Sequence, residues 1–121
     1  MLVTDTRGFR VLTLQGEIDY SRSRAAAKTL FAAITADHTR YILDTTQLTS
    51  VDSTGLALLF SFCKKCYSQG FESRVVTGQT SWSRLLHFSK LDRVLHLYDT
   101  LDAALDDDVP VLSPSLSILD Y

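Results

Sequence analysis

Residues 41–59 read YILDTTQLTSVDSTGLALL, and the fold turns on how that stretch divides. Tyr41–Asp44 is a short apolar run closed by an acid, which suits a buried strand of a parallel sheet. Residues 45–52 are polar and read as a loop. From Ser53 to about residue 69, Leu56, Leu59, Phe60, Cys63 and Tyr67 follow the i, i+3, i+4, i+7, i+11 series of an amphipathic helix. Gly70 then stands where a C′ residue ends such a helix. Ser53 and Thr54 place two adjacent hydroxyls at its start. Ser, Thr and Asp are the ordinary N-caps, so capping is one reading. In the other reading a hydroxyl faces outward. A helix N-terminus beyond the carboxyl end of a strand offers unpaired N–H groups and about half a positive charge, a setting that suits a phosphate. Gly55, having no side chain, would let another molecule approach closely. The residues leave both readings open.

Upstream, Phe9–Gly16 (FRVLTLQG) alternates as a strand, with Val11 on one face and Leu12 and Leu14 on the other. Glu17–Tyr20 reads as a short partner segment before a turn. Residues 21–38 read as a helix with Ser21 as N-cap, in which Leu30, Ala33 and Ile34 repeat beneath Ala26 and Ala27. Downstream, Glu72–Thr77 reads as a strand and Ser81–Lys90 as a helix carrying Trp82, Leu85, Leu86 and Phe88. Arg93–Tyr98 alternates as a further strand, and Thr100 caps a last short helix. Two strands followed by helix–strand units predict an α/β domain with largely parallel late strands, because each crossover is a helix. Residues 1–105 form that domain. Residues 106–121 differ in character: acids and prolines argue against a continuing helix, yet Val111, Leu112, Leu116, Ile118, Leu119 and Tyr121 are apolar. Either the tail is a poorly ordered terminus, or Leu116–Tyr121 docks on this domain or on a neighbour.

The composition narrows the function. With 45% hydrophobic and 21% charged residues, the 121-residue chain is globular and long enough for one core. The net charge is −2 and the Lys and Arg residues are scattered, so no basic stripe for nucleic acid is seen. Apolar runs fall far short of the ~20 residues of a membrane span, and MLVTDTRGFR lacks the pattern of a signal peptide. A soluble, cytoplasmic protein without membrane insertion is expected. Cys63 and Cys66 form CKKC, but no second cysteine pair completes a zinc site. His38, His87 and His96 match no ligand spacing. The cysteines also fall well inside the predicted helix, away from the N-terminal dipole that would activate them, so they read as buried thiols. No metal and no cofactor are expected.

Catalysis finds little support. In DSTG two residues separate Asp52 from Gly55, one more than in the aspartic protease triplet, and Val51 stands where a G-x-S-x-G elbow needs glycine. Nothing pairs a nucleophile with a base.

The segments LQGEID, YILDTTQLTSVDSTGLALL and LHFSKLDRVLHLYDTLDAAL, taken in order from about Phe9 to Leu105, resemble the STAS domain family, specifically its anti-sigma factor antagonists. The resemblance implies a small mixed β-sheet with helices mainly on one side. It implies that Ser53 is phosphorylated by a partner anti-sigma factor that is a serine kinase, with Thr54 as the second-ranked hydroxyl. The unphosphorylated chain would sequester that partner, and a separate phosphatase of the PP2C type would reset it. Asp52 matches the acid before the acceptor, and Asp19 the acid of GEID expected near it. Gly55 and Leu56 complete the motif. By this resemblance the chain supplies a substrate hydroxyl and is not an enzyme.

Leu58 and Phe62 widen the apolar arc of the Ser53 helix, either to pack on a neighbouring helix or to give a partner an apolar patch. Arg22 and Arg24 are a solvated face or a complement to acids on a kinase. Trp82 reads as core. Within the same family the alternative is a regulatory subunit of a membrane transport complex for lipids or anions, without a phosphorylation cycle; a larger signalling assembly of STAS domains is a third.

Overall fold

The computed structural model describes residues 1–88 and 95–107, apart from the side chains of Leu85, His87 and Phe88. The elements run β1 (Leu2–Thr6), β2 (Phe9–Ile18), α1 (Tyr20–Ala32), β3 (Arg40–Val51), α2 (Ser53–Ser68), β4 (Glu72–Val76), α3 (Ser81–Phe88), β5 (Leu97–Tyr98) and α4 (Leu101–Asp106). They form one sheet in the order β1-β2-β3-β4-β5. β1 and β2 are an antiparallel hairpin, whose two turn residues, Arg7 and Gly8, both have positive φ, as a type I′ turn requires. β2 to β5 are parallel, joined by helical crossovers.

The alternation of β2 sorts the core into two layers. Leu12 and Leu14 join Tyr41 and Leu43 under α1, α2 and α3, together with Leu30, Leu59, Phe62, Trp82 and Leu86. Phe9 and Val11 face the other way and meet Ile42, Val76 and Ala104 of α4. Trp82 is buried, and its indole N–H donates to Thr45 Oγ1 at 3.1 Å. Beneath α4, Arg74 is fully buried. Its Nε donates to Glu72 Oε1 at 2.6 Å and its Nη1 to the Asp107 carbonyl at 2.7 Å, so the charge is paired and its donors are used. α2 ends in a Schellman motif: the Phe71 N–H reaches the Cys66 carbonyl at 2.8 Å, the Gly70 N–H reaches Tyr67 at 2.9 Å, and Gly70 takes φ 75°.

Several boundaries differ from the sequence reading. The hairpin partner of β2 is β1, whereas Glu17 and Ile18 continue β2 and Tyr20 already belongs to α1. The N-cap of α1 is Asp19, not Ser21: the Asp19 carboxylate accepts the Arg22 amide at 3.0 Å. Residues 45–51 are not a loop but the second half of β3, paired with β2 as far as Ile18–Val51. The last helix is capped by Thr100, as read. Of the expected helix to Lys90 and strand from Arg93, residues 89–94 lie outside the described residues, as does the tail from residue 108.

Candidate functional site

The site is assembled by register. β2 and β3 are parallel and end level, with Glu17 opposite Ser50 and Ile18 opposite Val51. The residue after each strand is an aspartate, and each aspartate caps a helix. Asp19 takes the Arg22 amide of α1, and Asp52 takes the Gly55 amide of α2 at 2.9 Å through Oδ1. Two helix N-termini therefore lie side by side beyond the carboxyl ends of adjacent strands, where sites in such sheets gather. Asp52 also joins them: its Oδ2 accepts the Tyr20 amide at 3.2 Å, and its own N–H donates to the Ile18 carbonyl at 3.3 Å.

Ser53 is the first residue of α2 and is exposed; Thr54 is half-buried. Among the described residues no side-chain hydrogen bond engages the hydroxyl of either. The cap is supplied by Asp52, so the Ser53 hydroxyl is left facing outward. Around it the charge is predominantly acidic. Asp52 is exposed and Asp19 half-buried, and Glu17 stands on the β2 end. Arg22 pairs with Glu17 at 3.0 Å and with Asp19, so it serves this cluster within the chain. The Ser21 hydroxyl, donating to Asp19 at 2.7 Å, and then the Arg22 amide and guanidinium hold the Asp19 carboxyl below its ordinary range.

The structure brings Asp19, Asp52, Ser53 and Thr54 together and removes others from the surface. Gly55 does not open a path for a foreign group. A Cβ there would lie 2.7 Å from the Ile18 carbonyl oxygen and 2.7 Å from Val51 Cγ1, so the glycine lets α2 seat against its own strands. Leu56 is buried. Leu58 and Phe62 are no contact patch: they are 7% and 0% exposed and belong to the core between the sheet and its helices. The sequence reading missed Tyr20. Its amide donates to Asp52, the residue before Ser53, and its side chain is 81% exposed. An aspartate directly after a strand, followed by Tyr-Ser-Arg, was the available signal for this helix start.

Cys63 and Cys66 are free and buried, and burial raises both thiols, Cys63 to about 11 and Cys66 further. Among the described residues no group of three or more His, Cys, Asp or Glu could hold a metal ion, and no helix is long and apolar enough to cross a membrane.

Known proteins resemble this chain in sequence and in fold. The chain is 28% identical over 103 residues to the anti-sigma-F factor antagonist RsfB of Mycobacterium tuberculosis, covering 85% of this chain and 84% of that one. An anti-sigma factor antagonist from Mycobacterium paratuberculosis superposes with a TM-score of 0.73 at 24% identity, over 99% of this chain and 92% of the other. The Bacillus cell fate determinant SpoIIAA in its phosphorylated form gives 0.64 at 20% identity, over 87% and 96% of the two chains. These last two likenesses establish the mixed five-stranded α/β fold. The STAS domain profile matches residues 1–104, the whole of the sheet with α1 to α3 and the first turn of α4, and the chain therefore belongs to the STAS domain family.

Proposed function

We propose that this chain is an anti-sigma factor antagonist switched by phosphorylation of Ser53. Unmodified, it sequesters an anti-sigma factor that is a serine kinase; phosphorylated by that kinase, it lets go, and a PP2C-type phosphatase restores it. The observation that carries the reading is the exposed Ser53 hydroxyl, left unengaged at the first position of α2 because Asp52 performs the capping. The names of the similar proteins support the same role, and SpoIIAA has been solved in both unphosphorylated and phosphorylated forms.

The physics of the switch is local. A phosphate adds about −1.5 to −2 charge at pH 7. At a helix N-terminus the dipole favours it by about 0.3–1 kcal/mol, too little to reorganise a close-packed core. At an interface the same charge stands beside Asp52, Asp19 and Glu17, and a partner seated there must desolvate all of it. Each 1.4 kcal/mol so lost lowers affinity about tenfold. The chain contributes a hydroxyl and its setting; the phosphoryl chemistry belongs to the partner.

The test is incubation of the full chain with the anti-sigma factor kinase and ATP, followed by mapping of the phosphosite. Modification of Ser53, and none in Ser53→Ala, is the expected result. Modification of Thr54 or another hydroxyl with Ser53 untouched would overturn the assignment. Co-purification with an ATPase–permease complex, and no kinase, would point to the transport-subunit role.

A further inference from the structure

β1 is an outermost strand of the sheet. It pairs with β2 on one side, while Leu2, Val3, Thr4 and Asp5 are exposed along its length. Edge strands that must stay single carry prolines, bulges or outward lysines. β1, with the sequence LVTDT, has none of these and keeps unbroken register with β2. Its one charge, Asp5, lies 3.3 Å from both Arg10 and His38 of its own chain. Leu2 is 55% exposed and Val3 49%, on opposite faces of the sheet, and Met1 beside them is 41% exposed.

We propose that β1 is a self-association edge, on which a second copy of this chain adds its own β1 and continues the sheet. Two identical edges meet through a two-fold axis, and that axis makes the pairing antiparallel. The side chains select where the axis falls. With the axis at Val3, Val3 faces its own counterpart and Leu2 faces Thr4, and the two Leu2 side chains become diagonal neighbours at about 7 Å. The two Asp5 carboxylates then stand four residues apart, roughly 14 Å at ~3.4 Å per residue, beyond the ~8 Å screening length of physiological salt. An axis at Thr4 is worse, because it puts Val3 against Asp5 and halves the separation of the acids.

The Val3 register has a second, electrostatic consequence. Because β1 stops at Leu2 opposite Thr13, β2 has no strand partner on that side from Leu14 through Glu17, where it runs beside an apolar groove of about 340 Å³ lined by Met1, Leu14, Ile18, Ala26 and Leu30. The two-fold carries the hairpin turn of the second copy toward that groove, two strand spacings, or about 10 Å, from β2. The partner's Arg7 thereby approaches Glu17; in the single chain these exposed side chains pair with Asp106 and Arg22 of their own chain, so the approach adds an opposite charge to each existing ion pair. Apolar groups collect at the axis, and complementary charges lie at its flanks.

Sedimentation of the full chain from micromolar to millimolar concentration tests the proposal. The mass is expected to rise from one chain toward two. Val3→Lys, which sets two ammonium groups face to face at the axis, is expected to weaken the dimer at least tenfold, whereas Ser61→Lys on the exposed side of α2 leaves it unchanged. Circular dichroism checks that each variant is folded, and Leu2→Lys repeats the test on the other face of the strand. Amide hydrogen exchange adds an independent readout, since protection of residues 2–6 should grow with concentration. A single-chain mass up to millimolar concentration, or a dimer that both lysine variants leave intact, overturns the proposal. Concentration-independent protection of β1 in a monomer also overturns it, and identifies an intramolecular cover such as residues 108–121.

Discussion

Asp52 accepts the amide of Tyr20 at 3.2 Å with one carboxylate oxygen while the other caps its own helix through Gly55 at 2.9 Å. One side chain thus satisfies an orphan donor on each of two helices. The acid preceding Ser53 therefore holds α1 and α2 in fixed relation.

Asp52→Ala removes both acceptors and is expected to cost about 2 kcal/mol, toward the upper end for a single cap. Asp52→Asn keeps one oxygen for Gly55 but turns an N–H₂ toward Tyr20 or loses that contact, and should cost about half as much. Urea unfolding midpoints at unchanged slope measure both.

Asp19→Asn should weaken phosphorylation or partner binding and leave the thermal midpoint nearly unchanged, because Asn caps a helix as well as Asp does. A large loss of stability with normal phosphorylation would make Asp19 structural. Its carboxyl is held below the ordinary value of 3.8, chiefly by the Ser21 hydroxyl. A depressed folded value means that its contribution is present above the unfolded value and is lost as pH falls through the folded one. Any difference between wild type and variant should accordingly fade below about pH 4. A titration followed on the Asp19 side-chain resonance gives the window directly.

Gly55→Ala sets two effects against each other. Alanine favours a helix over glycine by about 0.5–1 kcal/mol, but the new Cβ meets the Ile18 carbonyl and Val51 at 2.7 Å. Both obstacles are parts of packed strands, so overpacking should win with a net loss of about 1–3 kcal/mol. Chemical denaturation decides the sign.

Ser53→Asp should fold normally yet bind a kinase partner poorly, while Ser53→Ala folds, binds and resists inactivation. In the amide spectrum of the phosphorylated chain, shifts should be confined to the surroundings of Asp19 and Ser53. Changes spread across the sheet would refute a surface switch.

Cys63 and Cys66 should be inert to a thiol reagent in the native state and reactive after unfolding, since burial raises both thiols and Cys63 to about 11. Rapid native-state modification, read from absorbance of the released thiolate, would contradict their burial.

Legibility in the sequence followed the amount of buried apolar surface. α2 could be read because Leu56, Leu59 and Cys63 return to one core at helical spacing. β1 could not, because none of its residues is buried and no face imposes a period. The second half of β3 failed for the same reason. From Thr46 to Val51 only Leu48 is buried, so hydrogen bonding to β2, invisible in side-chain patterning, makes it a strand. At the site, Asp52 and Ser53 stood out as a motif. The burial of Leu58 and Phe62 depended on tertiary packing, Phe62 edge-on to Tyr41 of β3 among it, which a helix's own sequence does not state.

The level endings of β2 and β3 rest on a difference in chain length. From Thr13 to Ile18, β2 takes five steps, while its partner takes seven, from Asp44 to Val51; the surplus is absorbed in the irregularities after Thr13 and Gly16. β3 is thus a ruler with slack built in at two marks. Deleting a single residue between Thr45 and Thr49 would draw Asp52 back by about 3.3 Å along the strand. That is as long as the bond from Asp52 to Tyr20, so the two helices would come apart without any change at the site itself. For this segment, unlike an ordinary surface connection, the number of residues is constrained more tightly than their identity.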